Sequence, residues 1–290
     1  LFIISLAICS NLQGTATLIG DPPSMILAGW TGMTFNDFFF YQGRPSIFFA
    51  VEVGAVASFG VLYLLFRRYR QPVGKIEVEK VISWVPTYML VLLIVALAAS
   101  SFIDPGFGYM AGAICMVFGV FGLLWYTMTN GGSVRDFVKA LDWDTTIFLM
   151  GIFVIVGSLN SAGWINDIAV FIQSITGDSL FGAFFMIVFL SVVFSAFIDN
   201  VPYLLAMIPV SQHLGQDIHN SPMLLLFGLL VGACLGGNIT PVGAAANIVG
   251  VGLLKKRNVQ VSFLGFVKIG LPFTIVAVVT SSIFLWVVWK

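Results

Sequence analysis

Two aspartates, Asp21 and Asp199, interrupt apolar stretches of this chain and are the side chains best suited to do chemistry in it. A charged group deep in a membrane is costly and marks the path of an ion or a substrate. A carboxylate there can bind Na⁺ through its oxygens, or it can take up and release a proton. A second interpretation stays open for both residues, because an aspartate that precedes a helix can cap its N-terminus.

Asp21 belongs to a segment that has a counterpart near the other end of the chain. When residues 14–26 are aligned with residues 237–249 on their first glycines, Thr17 falls on Thr240, and a glycine follows three positions later in both. Each segment interrupts an apolar helix with small, polar and proline residues. Matched interruptions of this kind in two halves of a membrane protein indicate a transporter binding site.

Such breaks have a defined chemistry. Non-helical backbone at membrane depth survives only inside protein or beside a water-filled cavity. Each break exposes carbonyl groups that suit a cation, and N–H groups at the next helix start that suit an anion. The predicted substrate- and ion-binding residues are Asn11, Gly14, Thr15, Thr17, Gly20, Asp21, Ser24, Asp199, Asn200, Val201, Gly237, Asn238, Thr240, Gly243 and Asn247, with Na⁺ expected near Thr17, Asp21, Asn200 and Asn238.

The composition sets the class of protein. The chain has 290 residues, of which 59% are hydrophobic and 9% are charged, whereas soluble domains have about 25% charged residues. The net charge of zero provides no basic surface for nucleic acid. The cysteines lie in apolar runs and predict buried free thiols, not a metal site. We expect an integral, multi-pass membrane protein that is not an enzyme and needs no cofactor beyond a coupling ion.

The apolar runs predict the elements that position these residues, since a spanning helix needs about 20 residues. Continuous spans are predicted at 45–66, 81–103, 106–128, 145–160 and 262–289, and surface helices at 131–143 and 164–175. Broken spans are predicted at 1–10 with 22–30, followed by a loop at 31–43, and at 223–235 with 244–254. Residues 179–211 are predicted to form a re-entrant hairpin with Asp199 and Asn200 at its tip, followed by a polar loop at 212–221.

The predicted fold class is therefore an all-α polytopic membrane protein with discontinuous helices. We divide it into the end of a first transport region (1–44), scaffold helices with cytoplasmic loops (45–143), a scaffold helix with an interfacial arm (144–178), a second transport region (179–261) and a final scaffold helix (262–290).

The basic residues predict the orientation of these elements. They cluster at 67–80, 135–139 and 255–257, and basic residues in short loops favour the cytoplasm. When the spans between these clusters are counted, all clusters lie on the cytoplasmic side only if the hairpin enters and leaves the membrane on the outer side. The first broken span then runs outward and the second inward, as inverted repeats. A complete symmetry would place another hairpin before Leu1, so we expect the N-terminal part of the first repeat to be missing.

The motifs resemble those of a known group of transporters. Asn-Leu-Gln-Gly-Thr-Ala-Thr-Leu-Ile-Gly-Asp-Pro-Pro at 11–23 is similar to the first-repeat signature of ArsB/NhaD-type permeases of the ion transporter superfamily. Phe-Ile-Asp-Asn-Val-Pro at 197–202 resembles the second hairpin tip, and residues 236–247 resemble the second broken helix. The group is citrate-transporter-like and is related to the melanosomal P protein and the divalent anion–sodium symporters. Ser24 stands where the group usually has asparagine.

The resemblance implies a secondary active transporter for a small inorganic or carboxylate anion, arsenite-like or carboxylate-like. It implies coupling to H⁺ or Na⁺, an elevator-like alternating-access mechanism, and a homodimer in the lipid bilayer, which we expect to be the plasma (inner) membrane. A Na⁺/H⁺ antiporter that exchanges ions at Asp21 or Asp199 is the alternative within transport. An intramembrane aspartyl protease is a remote alternative, because neither aspartate lies in the Tyr-Asp or Gly-x-Gly-Asp context of such enzymes.

Overall fold

The computed structural model describes residues 1–67, 81–104, 109–130, 135, 138–139, 143–218 and 222–290. These ranges contain twelve α-helices, two short 3₁₀ turns and one two-stranded hairpin. The helices are α1 Phe2–Gly14, α2 Pro22–Thr31, α3 Ile47–Phe66, α4 Val85–Ser100, α5 Met110–Asn130, α6 Trp143–Ser161, α7 Trp164–Thr176, α8 Leu180–Ser195, α9 Asn200–Asp217, α10 Pro222–Gly236, α11 Ala245–Lys256 and α12 Phe263–Trp289.

Several of these helices can cross a membrane. Within the described ranges, four stretches are long and apolar enough: α3, Met110–Thr129 of α5, Pro222–Ile239 around α10, and α12. The helices α1, α4 and α8 are apolar but shorter. The predicted all-α, multi-pass membrane architecture is therefore confirmed, while the inverted relation of the repeats and the division into five parts stay predictions.

The first broken span consists of α1 and α2, separated by residues 15–21. The helix α2 starts with Pro22 and Pro23, which tolerate the first helical turn because they need no N–H partner there. It ends at Gly32, which has φ 73°, a left-handed conformation that suits glycine. The predicted break is confirmed, although α1 continues to Gly14, beyond the predicted end at residue 10. No proline stops the helix earlier.

The second broken span consists of α10, a 3₁₀ turn at Gly237–Ile239, and α11. The helix α10 forms the centre of the protein, since every residue from Leu224 to Gly236 is buried. It packs against α8, α9 and α12. This span therefore carries its break into the interior of the protein, as predicted.

The predicted hairpin is formed by α8 and α9, which meet at residues 196–199. The prediction of a polar loop at 212–221 is wrong for residues 212–217, which continue α9. The indole nitrogen of Trp30 donates a hydrogen bond of 2.7 Å to the side-chain oxygen of Gln212, so a polar residue in this part of α9 has a partner on α2. Residues 219–221 lie outside the described residues.

The remaining predicted elements agree in outline. The loop at 31–43 contains a 3₁₀ turn at Asn36–Phe38 and continues into a hairpin of Phe40–Tyr41 with Arg44–Pro45. Its two turn residues, Gln42 and Gly43, both have positive φ, which matches the twist of a tight hairpin. The predicted spans near 81–103, 106–128 and 145–160 correspond to α4, α5 and α6, and the predicted surface helix at 164–175 corresponds to α7. The predicted surface helix at 131–143 falls mostly outside the described residues.

Candidate functional site

The two helix breaks and the hairpin tip surround one cavity of about 300 Å³. Four segments contribute to it: the end of α1, the start of α2, the hairpin tip and the start of α11. The lining residues are Ser10, Asn11, Gly14, Gly20, Asp21, Pro22, Pro23, Asp199, Asn200, Val201, Ala244, Ala245 and Ala246. Seven of the predicted site residues are among them, although they are far apart in the sequence.

The two breaks are built in the same way around a pair of glycines. A Cβ on Gly243 would lie 2.6 Å from the carbonyl oxygen of Gly237. In the first break a Cβ on Gly20 would collide with the carbonyl oxygen of Gly14. Only glycine permits this approach of backbone to backbone. These four predicted glycines therefore set the shape of the breaks.

The first break presents a carboxylate that has no hydrogen-bond partner among the described residues. Asp21 is the N-cap residue of α2, but its side chain accepts no capping hydrogen bond. The reason is local: Pro22 and Pro23 have no N–H to donate, and the N–H of Ser24 donates to the backbone carbonyl oxygen of Asp21 at 3.1 Å. Asp199 differs, because its Oδ1 accepts a hydrogen bond of 3.0 Å from the backbone N–H of Val201 at the start of α9. The capping interpretation therefore holds for Asp199 and is wrong for the side chain of Asp21.

The second break presents hydrogen-bond donors. The first N–H groups of any α-helix lack partners within the helix. At α11 the N-cap residue Ala244 has no side chain that could accept from them, and Ala245 and Ala246 follow it along the cavity. In the described part of the chain the N–H groups of Ala245 and Ala246 have no backbone acceptor. Free N–H groups at a helix N-terminus attract anions, and the helix dipole adds to this attraction.

Asn200 adds a polar group from the hairpin tip. It is buried, with 5% of its surface exposed, and it lines the cavity. Its Oδ1 lies 3.5 Å from the hydroxyl oxygen of Ser195, which donates its single proton to the carbonyl oxygen of Ala233. The amide of Asn200 therefore retains hydrogen-bonding capacity for a ligand in the cavity.

Other predicted site residues brace the site from behind the cavity. The hydroxyl of Thr240 donates to the carbonyl oxygen of Ala196 and accepts from the N–H of Gly243 at 3.1 Å, which joins the second break to the hairpin tip. The hydroxyl of Thr15 donates to the carbonyl oxygen of Asn11 at 3.1 Å. The hydroxyl of Ser24 donates to the carbonyl oxygen of Thr15 at 3.3 Å.

The predicted Na⁺ neighbours do not all come together. Asp21 and Asn200 line the cavity, whereas Thr17 and Asn238 do not. Asn238 is fully buried, and its amide nitrogen donates to the carbonyl oxygen of Ile8 at 3.1 Å. In the described ranges no group of three or more His, Cys, Asp or Glu side chains is placed to hold a metal ion. A cation in this cavity would therefore be met by few charged ligands.

The cavity also has lining residues that were not predicted: Ser10, the two prolines of α2 and the three alanines at the start of α11. Alanine and proline side chains carry no reactive group, so residue type gives no signal. Their position does give a signal, because they lie at the start of the half-helix after each break. The N–H groups at such a start lack partners within the helix, and proline has no N–H group at all.

Comparisons with known proteins define the family. The model of the family described as citrate transporter matches residues 1–227 and 103–290. An uncharacterized transporter of Mycobacterium tuberculosis is 30% identical over 298 residues, which are 98% of this chain and 66% of that protein. An uncharacterized transporter of Synechocystis is 27% identical over 306 residues, 97% of this chain and 67% of that protein. The P protein of Mus musculus is 33% identical over 163 residues, 53% of this chain and 19% of that protein.

The helices and the two broken spans around the cavity define a polytopic membrane protein. Within that class the chain belongs to the citrate transporter family, which confirms the resemblance predicted from its motifs. The chain spans about two thirds of the length of the mycobacterial relatives that it matches.

Proposed function

We propose that this secondary transporter moves a small anion or oxyanion, arsenite-like or carboxylate-like, across the membrane together with H⁺ or Na⁺. One observation carries the proposal: a single cavity between the two breaks is lined both by two aspartates and by the first residues of α11, whose N–H groups lack backbone acceptors in the described part of the chain. Asp21 and Asp199 provide the carboxylates, and the first N–H groups of α11 provide the donors.

The charges in the cavity give a physical reason for coupling. No lysine or arginine is among the described lining residues, so two carboxylates oppose the entry of an anion. A proton or Na⁺ that binds at Asp21 removes part of this repulsion. Two opposite unit charges about 5 Å apart attract each other by about 3 kcal/mol at an effective dielectric constant of 20. This energy corresponds to a coupling of roughly a hundredfold between cation and anion binding.

The proposed movement follows the predicted division of the chain. We expect the hairpin and the two broken helices to carry the cavity past the scaffold helices, in an elevator-like change of access within a homodimer. The breaks support this role, since non-helical backbone lining a cavity at membrane depth is the site that transporters open to each side in turn.

The test is transport by the purified protein in proteoliposomes. Labelled arsenite, citrate, succinate and sulfate are offered separately, in Na⁺ or choline buffer, with and without an imposed pH gradient. We expect uptake of at least one anion that rises with a Na⁺ or a proton gradient. Uptake of none of these anions under any gradient would overturn the proposed substrate class.

A second candidate, a Na⁺/H⁺ antiporter, is favoured only by the carboxylate of Asp21, which has no hydrogen-bond partner in the described ranges. In that case Na⁺ added outside the proteoliposomes would change the signal of an internal pH dye without any anion. We expect no such change in the absence of a transported anion.

A further inference from the structure

A buried hydrogen-bond network joins the two helix breaks. It consists of Asn11 on α1, Asn238 on the 3₁₀ turn and Asn247 on α11, here called the amide triad. Their side chains are 7%, 0% and 0% exposed. The amide nitrogen of Asn11 donates to Asn238 Oδ1 at 2.8 Å and to Asn247 Oδ1 at 3.1 Å. Of the three, only Asn11 lines the cavity.

The surroundings fix the orientation of Asn247. Its Nδ2 donates two hydrogen bonds of 2.9 Å, to the carbonyl oxygens of Gly237 and Thr240 across the second break. Backbone carbonyls can only accept hydrogen bonds. The nitrogen must therefore face the break, and the oxygen of Asn247 must face Asn11.

The same reasoning fixes Asn238 and then Asn11. The nitrogen of Asn238 donates to the carbonyl oxygen of Ile8 at 3.1 Å, so its oxygen also faces Asn11. Two oxygens against the same end of Asn11 require that end to be the nitrogen, and both of its hydrogens are then used. The oxygen of Asn11 is the remaining polar atom. No donor reaches it in the part of the chain that the structure describes, and it belongs to a residue that lines the cavity.

We propose that Asn11 Oδ1 is a ligand of the coupling cation, and that Asn238 and Asn247 are positioning residues that hold it toward the cavity. This inference rests on the proposed function. A neutral amide oxygen is a suitable ligand for a hard cation, and it complements the carboxylate of Asp21 in the same cavity. Neither Asn238 nor Asn247 contacts the cation itself.

The triad also links the cation side of the site to the anion side. Asn247 holds the backbone of the second break through Gly237 and Thr240, and this break leads into the N–H groups at the start of α11. The orientation of Asn11 thus depends on the same backbone that offers donors to the anion. A change in the second break alters the cation site through three side-chain hydrogen bonds, without any contact between the two ions.

The experiment compares Asn247→Ala with Asn11→Ala in the full chain, reconstituted in proteoliposomes. The readouts are the half-saturating cation concentration (the midpoint of the pH dependence if the cation is H⁺) and the KM of the anion. We expect Asn11→Ala to raise the half-saturating cation concentration at least tenfold, which for H⁺ is a fall of about one unit in the midpoint pH. Asn247→Ala should raise it by a similar factor although Asn247 does not line the cavity, and should raise the anion KM as well. Asn166→Ala, an exposed position on α7, is the matched control and should leave both values unchanged.

Folding is checked by size-exclusion chromatography and by thermal unfolding in detergent. If the alanine variants do not fold, Asn11→Ser and Asn247→Ser replace them, and the cation-induced rise in unfolding temperature replaces transport. We expect the serine variants to lose more than half of that rise. A folded Asn247 variant whose cation dependence lies within twofold of the wild type would overturn the positioning role. The same result for Asn11 would overturn its role as a ligand. A wild-type protein without cation-dependent uptake would instead refute the proposed function.

Discussion

After the first helix break, α2 has the N-cap residue Asp21 and begins with Pro22 and Pro23, whereas after the second break α11 has the N-cap residue Ala244 and begins with Ala245 and Ala246. The backbone plan of the two breaks is similar, with a close glycine–glycine contact in each. The chemistry is opposite, because the prolines remove N–H donors and the aspartate adds a carboxylate. A repeated backbone geometry can thus serve a cation on one side of a cavity and an anion on the other, through three residues in each copy.

The largest expected effect comes from a side chain added at the glycine–glycine contact of the second break. In Gly243→Ala the new Cβ would lie 2.6 Å from the carbonyl oxygen of Gly237 and 2.8 Å from that of Ser195, both backbone atoms that cannot move alone. We expect complete loss of transport and a destabilisation of about 1–3 kcal/mol. Flux in proteoliposomes and thermal unfolding in detergent measure the two effects.

A control for this change lies in α11, the half-helix that follows Gly243. Gly252 has no atom within 4 Å of an added Cβ, so Gly252→Ala should stabilise α11 by up to about 1 kcal/mol and leave transport intact. Equal behaviour of the two variants would show that the glycine contact does not shape the break.

The second prediction separates the two carboxylates. Asp21→Asn should reduce cation-dependent anion uptake by about a hundredfold, because an attraction of about 3 kcal/mol is lost. Asp199→Asn should cost less, since asparagine also caps a helix and its oxygen can keep the hydrogen bond to Val201. Initial uptake rates at several Na⁺ concentrations and pH values provide the measurement. Asp167→Asn, an exposed position on α7, is the neutral control, and unchanged coupling in Asp21→Asn would contradict the prediction.

The third prediction converts the second break toward the first. Ala245 is the first residue of α11, where proline is tolerated, and Ala244 already has the extended conformation that a following proline requires. Ala245→Pro should therefore fold but lose one N–H donor. The expected cost is about 1.5 kcal/mol in anion binding, or roughly a tenfold rise in the anion KM.

The matched variant for that change is Ala245→Ser, which keeps the N–H group and should keep the anion KM within twofold. The cation dependence should be the same in both variants. An unchanged anion KM in Ala245→Pro would show that the start of α11 does not hold the anion.

The sequence was sufficient for the local features of the site and insufficient for those that depend on distant partners. Glycines and prolines in apolar runs predicted both breaks, because they act on the backbone where they stand. The same reasoning assigned Asn238 and Asn247 to ligand positions, whereas the structure turns both amides toward backbone carbonyls and Asn11. These contacts join residues more than 220 positions apart. Spacing along the chain therefore could not predict them. The continuation of α9 to Asp217 was not predicted, because its polar residues suggested a loop. A polar residue can lie in a helix when a distant side chain forms a hydrogen bond with it, as Trp30 does with Gln212.

The smallest expected effect concerns the residues that brace each break. The alignment that pairs Gly14 with Gly237 also pairs Ser24 with Asn247. Asn247 donates to two carbonyl oxygens of its break, whereas Ser24 donates to one, that of Thr15 at 3.3 Å. Ser24→Ala should therefore lower the free energy of unfolding by about 1 kcal/mol and change transport by less than twofold, while Asn247→Ala should cost about 2–4 kcal/mol.

The unfolding midpoints of these two variants, measured under the same detergent and lipid conditions, give the ranking. If Ser24→Ala proves as costly as Asn247→Ala, the first break depends on its single hydroxyl as strongly as the second depends on its amide. The two breaks would then differ in the ion that they attract but not in how firmly they are held. The expected order instead makes the second break the more rigid of the two, because its brace also belongs to the amide triad.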